Sequence, residues 1–169
     1  MMNIVEKARV FATAAHAAID QKRKYTFEPY IKHPAEVVEI LKLVPHTAEM
    51  LAAAWLHDVV EDTSISIEVI RMEFGKPVAE LVTWLTDVSR LEHGNRAHRK
   101  ALDRAHIADA SADAQTIKLA DSIANLRDII QTDEKFAGTY KDEKRELLAV
   151  LNKGNPALQE MLFYLVQRT

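Results

Sequence analysis

Apolar residues recur at three- and four-residue steps along most of the chain, which is the spacing of one face of an α-helix. The first such run passes through Ile4, Ala8 and Phe11 and continues through Ala15 and Ala18. No stretch alternates between apolar and polar residues for long enough to predict a strand. The pattern therefore predicts an all-α protein.

Helix-starting signals divide the rest of the chain into further elements. A polar connection follows the first helix from about residue 22 to residue 32, and Pro34 then stands where a helix favours its first residue. Thr47 and Ser111 are placed to cap the helices that follow them. Other helices are expected over 66–74, 77–89 and 95–110, and two more after Gly138 and Asn155. With no linker and no persistent heptad repeat, the pattern predicts one globular domain over residues 1–169 with roughly eight to ten helices.

Composition narrows the class of protein. The 169 residues are 48% hydrophobic and 28% charged, as in ordinary globular chains. The absence of cysteine excludes disulfides and thiolate metal sites. The net charge of -3 argues against a general nucleic-acid binder. The longest apolar run, 50–56, is too short to cross a membrane, and the N-terminus has no apolar signal core. We therefore expect a cytoplasmic protein that acts without membrane or nucleic acid, and a homo-oligomer is compatible with the sequence.

Four ionisable side chains follow one apolar helical run directly, within residues 57–62. His57 and Asp58 come first, and Glu61 and Asp62 follow. At 3.6 residues per turn, Glu61 lies about one turn beyond His57, and Asp62 about one turn beyond Asp58. Two ligand-type residues thus stand beside two potential acid–base groups. An acidic helix end with a capping role would contain the same residue types.

Two other positions carry isolated polar groups in unusual surroundings. His33 stands directly before a proline at a helix start, where a lone histidine is more often a surface or capping residue. Asp121 lies inside a strongly apolar helix, and burying an unpaired carboxylate costs several kcal/mol. Lys118, one turn earlier, is one candidate partner for this carboxylate. A shared metal ion would satisfy four side chains together: His33, His57, Asp58 and Asp121.

An isolated histidine, an adjacent His-Asp pair and a distant aspartate resemble the HD phosphohydrolase superfamily. Within it, the chain resembles the small stand-alone RelA/SpoT-homologue alarmone hydrolases. The motifs that carry the resemblance occur in order and at compatible spacing: EPYIKHP at 28–34, WLHDVVEDT at 55–63, FGKPVAELV at 74–82 and KLADSIAN at 118–125. The second of these is highly specific.

This resemblance implies an HD-type helical domain with one divalent ion per chain, expected to be Mn²⁺. The ligands that it implies are His33, His57, Asp58 and Asp121. Two imidazoles and two carboxylates, with water completing the shell, suit Mn²⁺ better than a closed tetrahedral zinc site. The donor chemistry is therefore consistent with the resemblance.

The resemblance also implies a reaction and its substrate contacts. Glu61 and Asp62 would position or deprotonate the attacking water, and Asn125 would contact the sugar of a nucleotide. Arg23 and Lys24 would pack near the base. The reaction would remove pyrophosphate from the 3′ position of (p)ppGpp, giving GDP or GTP. The chain leaves no room for the synthetase domain of the long family members, so alarmone synthesis is not expected.

A basic stripe is predicted on the charged helix that follows residue 95. Arg96, Arg99, Lys100 and Arg104 recur at three- and four-residue steps, interrupted by Asp103. Such a stripe could gather the phosphates of a nucleotide. A solvated face with an internal Asp103 ion pair would show the same pattern. The remaining histidines are not assigned a role, and most are expected at the surface: His16, His46, His93, His98 and His106.

Two departures from the family pattern affect the substrate more than the metal. Phe27 stands where the small hydrolases usually carry glycine, and Ser122 follows Asp121 where they commonly carry a basic residue. Two alternatives therefore stay open. One is an HD phosphohydrolase for another phosphorylated nucleotide or cofactor, and the other is a catalytically silent nucleotide sensor.

Overall fold

The computed structural model describes residues 1–167 and is built from α-helices. Ten helices and one 3-10 turn lie within these residues: α1 Ile4–Ala18, α2 Lys32–Leu41, α3 Ala48–Leu56, α4 Val59–Asp62, α5 Ile67–Phe74, α6 Lys76–Leu85, the 3-10 turn Leu91–His93, α7 Arg96–Ala108, α8 Ala112–Thr132, α9 Glu134–Val150 and α10 Pro156–Gln167. The β interaction in this part of the chain is an isolated antiparallel bridge between Lys22 and Pro29. The predicted all-α class and the predicted number of helices are confirmed.

The predicted caps are present at the helices that carry the candidate site. The Thr47 hydroxyl accepts a hydrogen bond from the Met50 amide at 3.1 Å and starts α3. The Ser111 hydroxyl accepts one from the Ala114 amide at 3.2 Å and starts α8. Each side chain satisfies an amide that has no partner within the helix.

The prediction of a helix over residues 77–89 was too long. Helix α6 ends at Leu85, and Thr86 already has an extended ψ of 125°. The Asp103 carboxylate accepts hydrogen bonds from the amides of Val88 and Ser89 at 3.0 and 2.9 Å. Because those amides bind a side chain, they do not extend the helix.

The helix predicted to follow Gly138 begins earlier, with Gly138 in its interior. Helix α9 starts at Glu134, since the Asp133 side chain caps it by accepting a hydrogen bond from the Phe136 amide at 3.1 Å. Helix α2 also starts earlier than predicted, at Lys32, so Pro34 lies inside its first turn. Both errors concern boundaries and not the existence of the helices.

Residues Met1–Thr86 form one compact unit, organised around α3. This helix packs against α1, α2 and α6, and α5 packs against α6. A helix surrounded by others must be apolar on every side. In α3 the consecutive residues Ala52, Ala53 and Ala54 are all fully buried, and their small side chains let the neighbouring helices approach closely.

Residues Asp87–Thr169 form a second compact unit, in which α8 contacts α7, α9 and α10. Leu119, Ile123 and Leu126 of α8 are fully buried. The single domain over residues 1–169 stays a prediction. Among residues 1–167 there is no helix whose length and hydropathy would let it cross a membrane.

Buried Gln115 joins several backbone ends within the second unit. Its amide nitrogen donates to the carbonyls of Ile107 and Ala108 at the end of α7, at 3.0 and 3.2 Å, and lies 3.4 Å from the carbonyl of Val150 at the end of α9. Its amide oxygen accepts a hydrogen bond from the Lys153 amide at 2.9 Å. One side chain therefore adds hydrogen bonds at the ends of two helices, where the Ile107 and Ala108 carbonyls also accept from the Ala110 amide and the Lys153 ammonium.

Candidate metal centre

The turn between α3 and α4 carries the first two candidate ligands. Helix α3 ends at Leu56, and His57 and Asp58 form the turn. His57 is 2% exposed, and its Nδ1 lies 2.7 Å from the carbonyl oxygen of Ala54. A carbonyl oxygen only accepts, so Nδ1 carries the hydrogen. Nε2 is then the ring nitrogen that is available as a ligand.

His33 brings a second imidazole to the same place. It lies in the first turn of α2, its ring is buried, and its Nε2 lies 3.7 Å from Asp58 Oδ2. The ring centroids of His33 and His57 are 5.3 Å apart. His33, His57 and Asp58 thus form a group whose ligand atoms all lie within 4.8 Å of one another.

The donor set of these three residues fits a divalent metal ion. His57 Nε2 lies 3.1 Å from Asp58 Oδ2. With the hydrogen on Nδ1, two electron-rich atoms face each other there, which is favourable only with a proton or a cation between them. Ligand atoms about 2.1 Å from a metal lie roughly 3–4 Å from one another, comparable with the separations here. Two imidazoles and a carboxylate are ligands of Mn²⁺, Fe²⁺ and Zn²⁺ alike.

Tyr30 holds the carboxylate of this group. Its hydroxyl donates to Asp58 Oδ2 at 2.5 Å, and its ring lies 5.8 Å from that of His33. A hydrogen bond donated to a carboxylate fixes its orientation and favours its ionised form, which is the form that binds a metal. The sequence did not indicate this role of Tyr30, since a contact between residues 28 positions apart leaves no spacing pattern.

His16 is buried, whereas His46, His93 and His98 are exposed, as expected for most of the unassigned histidines. His16 is 1% exposed, and its ring lies 4.8 Å from the Tyr30 ring. The signal was present in the sequence. Buried Ala8 and Ala12 precede His16 at four-residue steps, so all three lie on the inner face of α1.

Glu61 and Asp62 lie on α4, and both are exposed to solvent. The Asp62 amide donates to the Asp58 carbonyl at 2.9 Å, which confirms that Asp58 and Asp62 are one helical turn apart. The Gln21 amide nitrogen donates to Asp62 Oδ2 at 2.9 Å. Partial withdrawal from water, together with the negative charge of Asp58, raises the pKa of Asp62 despite the Gln21 hydrogen bond.

Arg23 and Lys24 lie in the loop between α1 and α2. The Arg23 amide donates to the Glu28 carbonyl at 2.8 Å, and the Phe27 amide donates to the Arg23 carbonyl at 3.1 Å, so the loop is a closed turn. The Lys24 ammonium lies 4.8 Å from the centroid of the Tyr25 ring. Phe27 has a φ of +59°, and 76% of its surface is exposed. Glycine would adopt that φ without the strain that a Cβ brings.

Asp121 lies on α8, in the second unit. It is 4% exposed, accepts a hydrogen bond from Asn125 at 2.7 Å and lies 3.2 Å from the Lys118 ammonium. The Lys118 ion pair, which was the alternative to a metal ligand, and the neighbouring asparagine are therefore both present. The Lys144 ammonium of α9 lies 3.5 Å from the Ser122 hydroxyl, so a cation does lie beside that serine. The roles of Asp121 and Asn125 toward metal and sugar stay predictions.

The basic residues of α7 are less available to bind phosphate than they would be on a fully solvated face. Three of them form ion pairs with acidic residues of the second unit, whereas Asp103 binds the loop before α7. The pairs are Arg96 with Glu143 at 2.6 Å, Lys100 with Asp87 at 3.5 Å and Arg104 with Glu146 at 2.7 Å. Phosphate binding by these residues stays a prediction, and it would have to compete with these carboxylates.

Comparison with known families identifies relatives over most of the chain. The sequence model of the HD domain family matches residues 8–154. The probable guanosine-3′,5′-bis(diphosphate) 3′-pyrophosphohydrolase of Synechocystis sp. is 38% identical over 151 residues, 88% of this chain and 20% of that protein. The guanosine-3′,5′-bis(diphosphate) 3′-pyrophosphohydrolase MESH1 of Homo sapiens is 35% identical over 147 residues, 83% of this chain and 80% of that protein. The chain thus spans a fifth of the first relative and most of the second.

A solved structure has the same fold. It is that of a metazoan orthologue of SpoT that hydrolyses ppGpp, and it superposes with a TM-score of 0.86 at 29% identity. The match covers 98% of this chain and 94% of that one. A match of this extent spans the segments of the chain that contain the candidate residues.

Proposed function

Because the chain belongs to the HD domain family, with guanosine-3′,5′-bis(diphosphate) 3′-pyrophosphohydrolases among its relatives, we propose that it hydrolyses the 3′-diphosphate of (p)ppGpp. The products would be pyrophosphate and GDP or GTP. The observation that carries this proposal is the group of His33, His57 and Asp58, one helical turn before Asp62. It combines the ligands of a metal with a carboxylate able to act on water.

The proposed cofactor is one Mn²⁺ per chain, held by His33, His57, Asp58 and Asp121. The buried imidazoles and the Asp58 carboxylate are the donors already close together. Asp121 is included because it stands in the KLAD segment of the motif set, and we propose that residues 1–169 act as one domain. When bound, such an ion supplies Lewis-acid polarisation of a phosphoryl oxygen and lowers the pKa of water.

Glu61 and Asp62 would act on the water and not hold the ion. The raised pKa of Asp62 makes its carboxylate a stronger base than an ordinary aspartate. A group that takes a proton in the transition state must lie within hydrogen-bond reach of the water, and α4 presents both carboxylates to solvent. The two carboxylates thus offer a base and a second group to orient the water.

Substrate contacts are proposed on the loop and on the second unit. The Arg23 guanidinium, with Lys24, would stack on and hydrogen-bond the base. Asn125 would contact the ribose. The stripe of Arg96, Lys100 and Arg104 would receive the 5′ phosphates by exchanging their carboxylate partners for phosphate.

The deciding experiment is product analysis with purified protein, Mn²⁺ and ppGpp. GDP and pyrophosphate in equal amounts are expected, and chelation should abolish the reaction until Mn²⁺ is restored. Glu61→Gln and Asp62→Asn should keep the metal and lose about 10²–10⁴-fold in rate. Glu68→Gln, an exposed carboxylate on α5, is the matched control and should leave the rate unchanged.

A second candidate function is favoured by Phe27. Its exposed ring lies in the same turn as Arg23 and Lys24, at the position where the resemblance leads us to expect glycine. An aromatic ring there can change the choice of base, so another phosphorylated nucleotide or cofactor is the alternative substrate. Faster cleavage of such a nucleotide, orthophosphate release, or attack at the 5′ side of ppGpp would favour this candidate over the first.

A further inference from the structure

A chain of side-chain hydrogen bonds links the buried core of the first unit to Asp62. His16 Nδ1 lies 2.7 Å from the side-chain oxygen of Gln21. The side-chain nitrogen of Gln21 lies 2.9 Å from Asp62 Oδ2. The backbone of Gln21 is fixed as well, because its amide donates to the His16 carbonyl and its carbonyl accepts from the Tyr30 amide, at 3.1 and 3.0 Å.

The direction of this chain follows from the chemistry of its members. An ionised carboxylate only accepts, so Gln21 presents its NH₂ group to Asp62 and its oxygen to His16. That oxygen also only accepts, so His16 Nδ1 must carry a hydrogen. The arrangement therefore fixes one tautomer of His16 and one orientation of the Gln21 amide.

Packing holds His16, the first member of this series of hydrogen bonds, in place. It lies on α1, which contacts both α3 and α4, and its ring packs on that of Tyr30. Tyr30 in turn binds Asp58. His16 is thus connected to the proposed ligand Asp58 through Tyr30 and to the proposed base Asp62 through Gln21.

A purely structural role explains this histidine poorly. Its Nε2 is buried and makes no hydrogen bond within residues 1–167. An unsatisfied buried polar atom costs about 1–3 kcal/mol, so an apolar side chain would serve packing better. The polar group of His16 that has a partner is Nδ1–H, which donates to Gln21.

We propose that His16 and Gln21 are positioning residues that hold the Asp62 carboxylate in its working orientation. The inference rests on the proposed role of Asp62 in hydrolysis. Asp62 is the last residue of a four-residue helix and is exposed, so without Gln21 its side chain would sample several rotamers. The hydrogen bond from Gln21 selects one of them, and His16 selects the orientation of Gln21.

The first test separates turnover from binding. Gln21→Leu and His16→Leu should lower kcat roughly 10–100-fold, the range typical of lost orienting contacts. KM for ppGpp and bound Mn²⁺ should stay within about twofold. His16→Asn keeps an N–H close to the Nδ1 position and should recover most of the rate. Equal kcat in all variants, measured per folded molecule, would overturn the proposal.

A double-mutant cycle tests whether the effect passes through Asp62. In an Asp62→Ala background, Gln21→Leu should cause no further loss of rate. Gln159→Leu is the matched control, because the Gln159 side chain also makes two hydrogen bonds, in its case to backbone carbonyls at 2.8 and 3.0 Å, but lies on α10. It should lower the melting temperature and leave kcat unchanged. Multiplicative losses in the cycle would contradict the proposal.

A third readout needs neither substrate nor turnover. ¹⁵N NMR of the His16 ring should show the hydrogen on Nδ1, and this signature should weaken in Gln21→Leu. A hydrogen on Nε2 alone would overturn the proposed chain. If the wild type does not release pyrophosphate from ppGpp, the proposed substrate is wrong, and the tautomer and its response to Gln21→Leu still decide the role of His16.

Discussion

Lys144 is a buried cation whose charge should make stability depend on pH. Burial, followed by the positive charge of Lys118, lowers its pKa from 10.5 to about 8. Between pH 8 and 10.5 the folded protein then binds fewer protons than the unfolded chain, so stability rises with pH across this window. Lys144→Met should raise the free energy of unfolding at pH 7 and remove that rise.

Urea unfolding at pH 7, 9 and 10.5 measures both effects. Lys135→Met, an exposed lysine on the same helix, is the control and should change neither. A Lys144→Met protein no more stable than the wild type at pH 7 would contradict this account.

Phe27 should destabilise the loop that it belongs to. Its φ of +59° costs a side chain with a Cβ roughly 1–2 kcal/mol, and its ring is too exposed to regain that by burial. Phe27→Asn should raise the free energy of unfolding by about 1 kcal/mol, because asparagine tolerates this conformation. Phe27→Leu keeps the strain and should give no gain. Thermal unfolding of the three proteins compares them directly.

At the level of single residues, the sequence was most informative where chemistry and spacing coincide. His33, His57 and Asp58 were expected to lie together, and the structure brings them together. The roles of Gln21 and Tyr30 were not found, because each depends on a contact with an aspartate more than 25 positions away. Such contacts depend on how helices pack, which periodicity does not encode.

At the level of helices, the hydrogen bonds of buried Gln115 should contribute measurably to stability. Gln115→Leu would leave carbonyls of Ile107 and Ala108 and the Lys153 amide without this partner. The two carbonyls keep the Ala110 amide and the Lys153 ammonium as donors, whereas the Lys153 amide loses its partner. One unsatisfied buried group costs about 1–3 kcal/mol, and a loss of that size is expected. Chemical denaturation measures it. A loss below about 1 kcal/mol would show that these groups find other partners.

Helix existence was predictable, and two boundaries were not. The apolar stripes and the caps at Thr47 and Ser111 are local, and the helices that they predict are present. The end of α6 depends on amides bound by Asp103, 14 and 15 residues away, which no local signal reveals. Gly138 was read as a boundary, although a glycine inside a long helix costs only about 1 kcal/mol.

At the level of the whole molecule, metal binding and unfolding should be linked. A ligand that binds only the folded state adds about 2.7 kcal/mol at a hundred times its Kd, so Mn²⁺ should raise the melting temperature. If residues 1–169 are one domain with four ligands, calorimetry should show one transition, and the shift should be lost in both His57→Ala and Asp121→Asn.

Asp113→Asn, an exposed residue on the same helix as Asp121, is the control and should keep the full shift. The melting temperature of each variant is compared with and without Mn²⁺, so that the effect of the substitution on folding itself cancels. A full shift in Asp121→Asn would remove that residue from the ligand set, and two separate transitions would contradict the single domain.

The close packing around α3 limits which positions of this protein can accept substitutions during evolution. Ala52, Ala53 and Ala54 have no exposed surface, and the turn with His57 and Asp58 follows them within a few residues. Any larger side chain there must move neighbouring helices, at a cost of about 1–3 kcal/mol or more. In a deep mutational scan we expect these alanines to be nearly invariant and the exposed position 27, in the loop between α1 and α2, to accept many residues. New specificities should therefore arise by drift in that loop, while the end of α3 is inherited unchanged.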